Sequence, residues 1–202
     1  MTEINLSEKE KTIIEAARKR FAHFGFSKVT MEEIAVDVDM GKASLYYYFP
    51  TKESIFKQVI SQEQDELANE IESIIHKDIT SAEKLIQYVK VRHSFFQKLV
   101  NLGTLSVHSL TDTKSIYKKL FTEFEVRELA LIKNMIDEGI KKGEFKKDLE
   151  KETPSVILHI LQGLRFRVLK QSRELERDEK LIKELQKEMD LAIKIVLNGI
   201  LK

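Results

Sequence analysis

Residues 30–52 read TMEEIAVDVDMGKASLYYYFPTK, and this stretch decides how the chain is understood. Thr30 followed three residues later by Glu33 is a capping box, in which each side chain satisfies the other residue's backbone N–H. It opens a short helix through Ile34 to about Asp37. A second short helix fits Lys42 to Phe49 and is stopped by Pro50. About four residues separate the two, the spacing of a helix-turn-helix. In the second helix Leu45 and Phe49 share a face, with Ile34 and Ala35 as natural partners across the corner. A helix of about seven residues is only ~10 Å long. It cannot bury Tyr46, Tyr47 and Tyr48 together, because successive side chains diverge by about 100°. At least one tyrosine is therefore expected in solvent.

Working outward, most of the chain divides into helices by its capping residues. Ser7 and Glu10 form another capping box, followed by Ile13, Ala17, Phe21 and Phe24 at helical spacing and by Gly25 at the end. Thr51 caps a long helix carrying Ile55, Phe56, Val59, Ile60, Leu67, Ile71, Ile74 and Ile75. Thr80 with Glu83 opens the next, to about Val100. Asn101 to Asp112 is broken, with room for one short helix. A long helix runs from about Thr113 to the basic turn before Gly143. Thr153-Pro154 starts another, and Asp178 caps the last, through Ile200. The expectation is an all-α chain of about nine helices. Seven Gly and two Pro in 202 residues agree with this, since sandwiches and barrels need many Gly- and Pro-rich turns.

Composition excludes several classes. Leu, Ile, Val and Phe make up about a third of the chain, above the ~20% typical of disorder. No cysteine is present, so there is no disulfide, thiol nucleophile or thiolate metal site. His23, His76, His93, His108 and His159 lack metal spacing, and no cofactor motif occurs. Nothing resembles a nucleophile with a paired base, so the chain is not read as an enzyme. The longest apolar run, Leu45 to Phe49, falls far short of the roughly 20 residues of a membrane span. With no apolar signal core near the amino terminus, a cytoplasmic location is expected.

Exposed tyrosines beside Lys42 and Ser44 suit a DNA surface. Hydroxyls bond phosphates, rings touch thymine methyls, and Ala43 lets the backbone approach. Thr30 and Lys52 open flanking helices, where N–H groups favour a phosphate. The alternative is a plain helical corner with aromatic packing, in an interaction protein that has no DNA target.

Together these residues resemble the DNA-binding region of the TetR family of bacterial regulators. That family's pattern is phe-x-x-x-gly, thr-x-x-x-ile-ala, leu-tyr-x-x-phe and a lysine-glutamate pair. The chain has Phe21-Ala-His-Phe-Gly25, Thr30-Met-Glu-Glu-Ile34-Ala35, Leu45-Tyr46-Tyr47-Tyr48-Phe49 and Lys52-Glu53. Two positions depart from it. Asp39 stands where the turn usually has glycine, and Gly41 replaces a serine or threonine cap. Asp tolerates a left-handed conformation, and Gly caps acceptably.

The resemblance implies a DNA-binding domain over residues 1–52 and a helical ligand-binding and dimerisation domain over 53–202. It implies a ligand-responsive repressor, released from a palindromic double-stranded operator by a small, partly apolar effector. Thr30, Lys42, Ala43, Ser44, Tyr46, Tyr47, Tyr48 and Lys52 would contact DNA. Tyr88, Arg92, Phe95, Phe96, Leu99, Tyr117, Phe121, Phe124, Leu158, Gln162 and Phe166 would line the effector pocket. Arg165 and Arg167 flank Phe166; they could pair with an anion, but a solvated or interface ion pair is the expected role. The last two helices would pair with those of a second copy; the alternative is that both of their apolar sides are buried within the monomer. Leu191, Ile195 and Leu197 widen the apolar surface of the final helix beyond one stripe, as a homodimer needs.

Residues 1–52 carry eight Lys and Arg against eight acids. Bulk charge therefore adds little to DNA affinity. A titration of log affinity against log salt should give a shallow slope, that of a few phosphate contacts per subunit. A much steeper slope would show that bulk charge dominates after all.

Overall fold

The computed structural model describes residues 6–101, 114–171 and 179–202, with side chains for all of these except 99–101, 114–121 and 169–171. Eight α-helices lie among the described residues: α1 Glu8–Phe24, α2 Met31–Asp37, α3 Lys42–Tyr48, α4 Lys52–Ile75, α5 Ser81–Asn101, α6 Lys114–Lys142, α7 Thr153–Gln171 and α8 Glu179–Ile200. The all-α expectation holds. The short helix expected within 101–112 and the cap expected at Asp178 lie outside the described residues.

The expected capping boxes at Ser7, Thr30 and Thr80 all form. Thr51 caps α4, with Ser54 as its reciprocal partner. Two helix ends close by the same device. At the end of α2, the N–H of Met40 donates to the Ala35 carbonyl (2.9 Å) and that of Asp39 to Val36 (3.2 Å). At the end of α6, Glu144 donates to Gly139 (2.9 Å) and Gly143 to Ile140 (3.1 Å). This double closure requires a left-handed residue just past the helix. Gly143 supplies it at φ 77°, and Asp39 does so at φ 51°.

Helix α4 is the common strut, with α1, α5 and α6 packed on it. Phe21 of α1, Phe26 and Phe56 of α4 form a ring cluster with centroids 4.6–5.6 Å apart. Phe24, expected on the buried stripe of α1, is instead exposed in the last turn, and it is Phe26 that packs beside Phe21 and Phe56. The α7–α8 pair closes the far side, with α8 against α5 and α7 against α6. Leu197 corrects another expectation. It is buried, so it belongs to this closure, whereas Leu191 and Ile195 are exposed.

Arg20 clamps α1 to α2 through Asp37 (Nη2 to Oδ1, 2.7 Å). Lys84 is almost fully buried at the junction of three helices. Its ammonium donates to the Ile75 carbonyl (2.6 Å) and to Glu138 of α6 (2.8 and 2.9 Å). Phe145, just past α6, is sealed against Gly139 and Ser81. A β-carbon on Gly139 would fall 2.3 Å from the Phe145 ring and 2.9 Å from Ser81 Cβ.

That contact reverses a general rule. Gly→Ala inside a helix usually stabilises by up to ~1 kcal/mol. Gly139→Ala should instead lower urea-unfolding stability by about 1–3 kcal/mol through overpacking. Gly199→Ala has nothing within 4 Å of the added carbon and should not do so.

Candidate functional site

The corner at 30–52 is held from behind and open in front. Leu45 and Phe49 are buried against α2, where Ile34 and Ala35 are also buried. Lys42, Ala43 and Ser44 are exposed at the start of α3. Tyr47 is 84% exposed and Tyr46 39%. Tyr48 is half-buried against the core, its ring edge-on to Tyr47 at 5.3 Å. A plain aromatic corner would bury the tyrosines as a group, and this one does not.

Lys42 forms an ion pair with Glu32 of α2 and lies 5.8 Å from the Tyr46 ring centre. The pairing raises the lysine's pKa and lowers the glutamate's. Both groups are exposed, and such pairs are weak, so an incoming phosphate can compete for Lys42.

Two expected phosphate anchors are already occupied. The Thr30 hydroxyl donates to Glu33 Oε2 (2.9 Å) and accepts from the Glu33 N–H (3.3 Å). The Glu33 carboxylate thus takes the place at the start of α2 where a phosphate was expected. Bonds from the Thr30 backbone and hydroxyl hold its pKa below the usual range. The Lys52 ammonium turns inward, donating to the carbonyls of Phe26 (2.8 Å) and Val29 (2.7 Å) over the Phe26 ring. It ties the first turn of α4 to the α1–α2 connection.

In the helical domain, Tyr88, Arg92 and Phe95 of α5 meet Phe124 and Glu128 of α6. Glu128 is 1% exposed. Its Oε1 accepts from the Tyr88 hydroxyl (2.8 Å) and from Arg92 Nε (2.6 Å). Burial, reinforced by Glu128, pushes the Tyr88 pKa well up, so the phenol stays neutral. Phe95 and Phe124 stack with centroids 6.3 Å apart. The Arg92 guanidinium lies 5.4 and 5.8 Å from the two ring centres.

Arg165 of α7 is 5% exposed, against the expectation of a solvated or interface pair. Its Nη1 is buried without a hydrogen-bond partner. Burial, then the Arg92 charge, push its pKa down to about 9, which still leaves it charged at neutral pH. His93 is buried with Nδ1 unpartnered; burial lowers its pKa, Asp190 opposes that and Arg165 adds to it. Arg167 pairs with Glu188 of α8.

Of the other expected pocket residues, Phe96 and Leu158 are buried. Gln162 is half-buried and donates to Glu125 (3.2 Å). Phe166 is 52% exposed, so it does not line an interior pocket of the monomer. Leu99, Tyr117 and Phe121 fall outside the described side chains. Sequence reasoning missed Glu128 and the burial of Arg165. A signal for the latter existed: Leu158, Leu161, Arg165 and Val168 follow one helical stripe, and all four are buried.

Glu63 of α4 links the two regions. It is buried, 3.0 Å from Arg18 of α1 and 3.7 Å from Lys98 of α5. Lys98 also reaches Glu66 (3.4 Å).

Comparison with known proteins agrees with this geometry. Residues 13–59 match the family described as bacterial regulatory proteins, tetR family. Residues 72–202 match the QacR-like protein, C-terminal region. The chain is 28% identical to the HTH-type transcriptional regulator YhgD of Bacillus subtilis, over 85% of this chain and 90% of that one. A crystal structure of a transcriptional regulator from Cytophaga hutchinsonii shares 38% identity at TM-score 0.90, covering 97% of this chain and all of that one. A TetR-family regulator from Mesorhizobium loti, 20% identical, has the same fold at TM-score 0.75 over 96% of this chain and 97% of that one. Among the described residues, no helix is long and apolar enough to cross a membrane. The chain belongs to the TetR family of DNA-binding transcriptional regulators.

Proposed function

We propose that the protein is a homodimeric repressor that a small molecule releases from a palindromic operator in the cytoplasm. The DNA-binding part is residues 1–52, and 53–202 bind ligand and dimerise, with α4 shared between the two by its packing. The observation that carries this reading is the outward face of α3, with Tyr47 almost fully exposed above the buried Leu45. Residues Lys42 to Tyr48 enter the major groove. Ser44, Tyr46 and Tyr47 contact bases or phosphates, Ala43 allows close approach, and Lys42 exchanges Glu32 for a phosphate. Tyr48 steers Tyr47 through its ring edge. Thr30 and Lys52 shape the surface that carries these groups.

Dimerisation uses α7 and α8. Val156 and Ile160 on α7 and Leu191 and Ile195 on α8 leave large apolar side chains in solvent. Two copies joined there present two α3 helices to half-sites ~34–36 Å apart. Ligand binding among α5, α6 and α7 alters that spacing through α4, which holds α1 by Glu63 and α6 by Asp65 and Glu72 on Arg127. A coupling of about 1–3 kcal/mol gives a ~5–150-fold change in operator affinity.

Fluorescence anisotropy with DNA from upstream of the gene tests the surface. Tyr47→Ala and Ser44→Ala should each weaken binding by about 1–3 kcal/mol. Exposed changes of this kind should move Tm by no more than about 1–2 °C. Unchanged affinity in both would remove α3 from the interface. Lys52→Ala should show the other pattern, a lower Tm, because two carbonyls lose a charged donor.

Sedimentation tests the dimer. Leu191→Glu with Ile195→Glu should shift the protein to monomers and cut operator affinity. A dimer that survives both charges would place the interface elsewhere.

A further inference from the structure

Among the described residues, the buried charges between α5, α6 and α7 do not balance. Arg92 and Arg165 are cations, and Glu128 is the anion among them. Glu128 already accepts from Tyr88 and Arg92 through one oxygen. Nearby acids are engaged too. Glu125 holds the Gln162 amide, and Asp190, which faces His93, accepts from Gln186 at 2.8 Å. Among the described residues no ion pair involves Arg165, and its Nη1 has no hydrogen-bond partner. A buried guanidinium left this way is expensive, and such groups call for a specific explanation. His93 Nδ1, buried in the same region, also lacks a partner.

We propose that this cluster receives the carboxylate of a small organic monoacid, with Arg165 as its salt-bridge partner and the Phe95–Phe124 stack beside its hydrocarbon part. The proposal rests on reading the helical domain as the effector site, and it names the effector's chemical class. One excess positive charge among the described residues calls for one negative charge. A phosphate dianion would overshoot that balance, and an amine would worsen it. The planar guanidinium edge fits the two oxygens of a carboxylate. Apolar neighbours on the same face favour a ligand with an apolar body. Phe95 and Phe124 are both buried, and Arg92 already lies against both rings.

Calorimetry on the full chain with 4-phenylbutyrate, 4-phenylbutylamine, 4-phenylbutanol and inorganic phosphate tests it, alongside decanoate, decylamine and decanol. A carboxylate should bind about tenfold or more tightly than its amine or alcohol counterpart and than phosphate. Arg165→Met should weaken carboxylate binding by about tenfold or more while leaving the ligand-free Tm unchanged or higher. The proposal is overturned if neither carboxylate binds, if an amine, an alcohol or phosphate binds as tightly, or if R165M binds carboxylate like the wild type. Should R165M not fold, the comparison on the wild-type chain still decides. Operator release by an amine but not a carboxylate overturns the ligand class and leaves the repressor reading standing. Arg165-dependent carboxylate binding with no change in operator affinity supports the site and removes the effector reading.

Discussion

Helix α4 has neighbours on three sides, and one carboxylate governs how they meet. Glu63 is buried within it, and a buried charge left without a partner is strongly destabilising. Arg18 from α1 answers it closely, and Lys98 from α5 stands at longer range. Turning α4 by one residue, about 100°, would carry Glu63 away from Arg18. That pair and the Phe21–Phe56 contact favour one register of α1 on α4; α2 is held in turn by packing on α1 and by the Arg20 clamp, and α3 by packing on α2. On another face Asp65 and Glu72, both far more exposed than Glu63, pair with Arg127 of α6. A helix so tied is poorly placed to move without disturbing both regions it joins.

Much of the fold was legible because it is written locally. A capping box needs only residues three apart, so Ser7, Thr30 and Thr80 reveal helix starts without tertiary information. The corner at 30–52 was equally open to reading. Its apolar pair, Leu45 and Phe49, sits one turn apart, and three tyrosines on so short a helix had to diverge. Phe24 and Leu197 were misread for one reason. Spacing identifies a stripe, but which edge of the stripe is covered depends on elements far along the chain. Phe26 covers the place beside Phe21 and Phe56, and the packing of α8 on α5 covers Leu197.

The sites were less legible, because they are made by contacts distant in sequence. Lys52 was read as a phosphate anchor from its place at a helix start. Its partners, the carbonyls of Phe26 and Val29, are acceptors that every residue carries and that no pattern marks. Nothing marks Glu128 in the sequence, and Arg165 reads there as solvated or at an interface, because charged residues usually are. In the pocket list, Tyr88, Arg92, Phe95 and Phe124 do come together, whereas Phe166 faces out. Helical periodicity could have placed Arg165 inside, but nothing local reveals that a buried charge lacks a counterion.

The turn between α2 and α3 has an evolutionary side. Asp39 occupies a left-handed position that the family usually gives to glycine. A single-base change in an aspartate codon reaches either glycine or asparagine, and both tolerate that conformation. Valine and alanine are one base away as well, but they do not suit it. Descendants of this chain therefore have a narrow corridor at residue 39, along which the side chain can drift while the angle between the two short helices is kept.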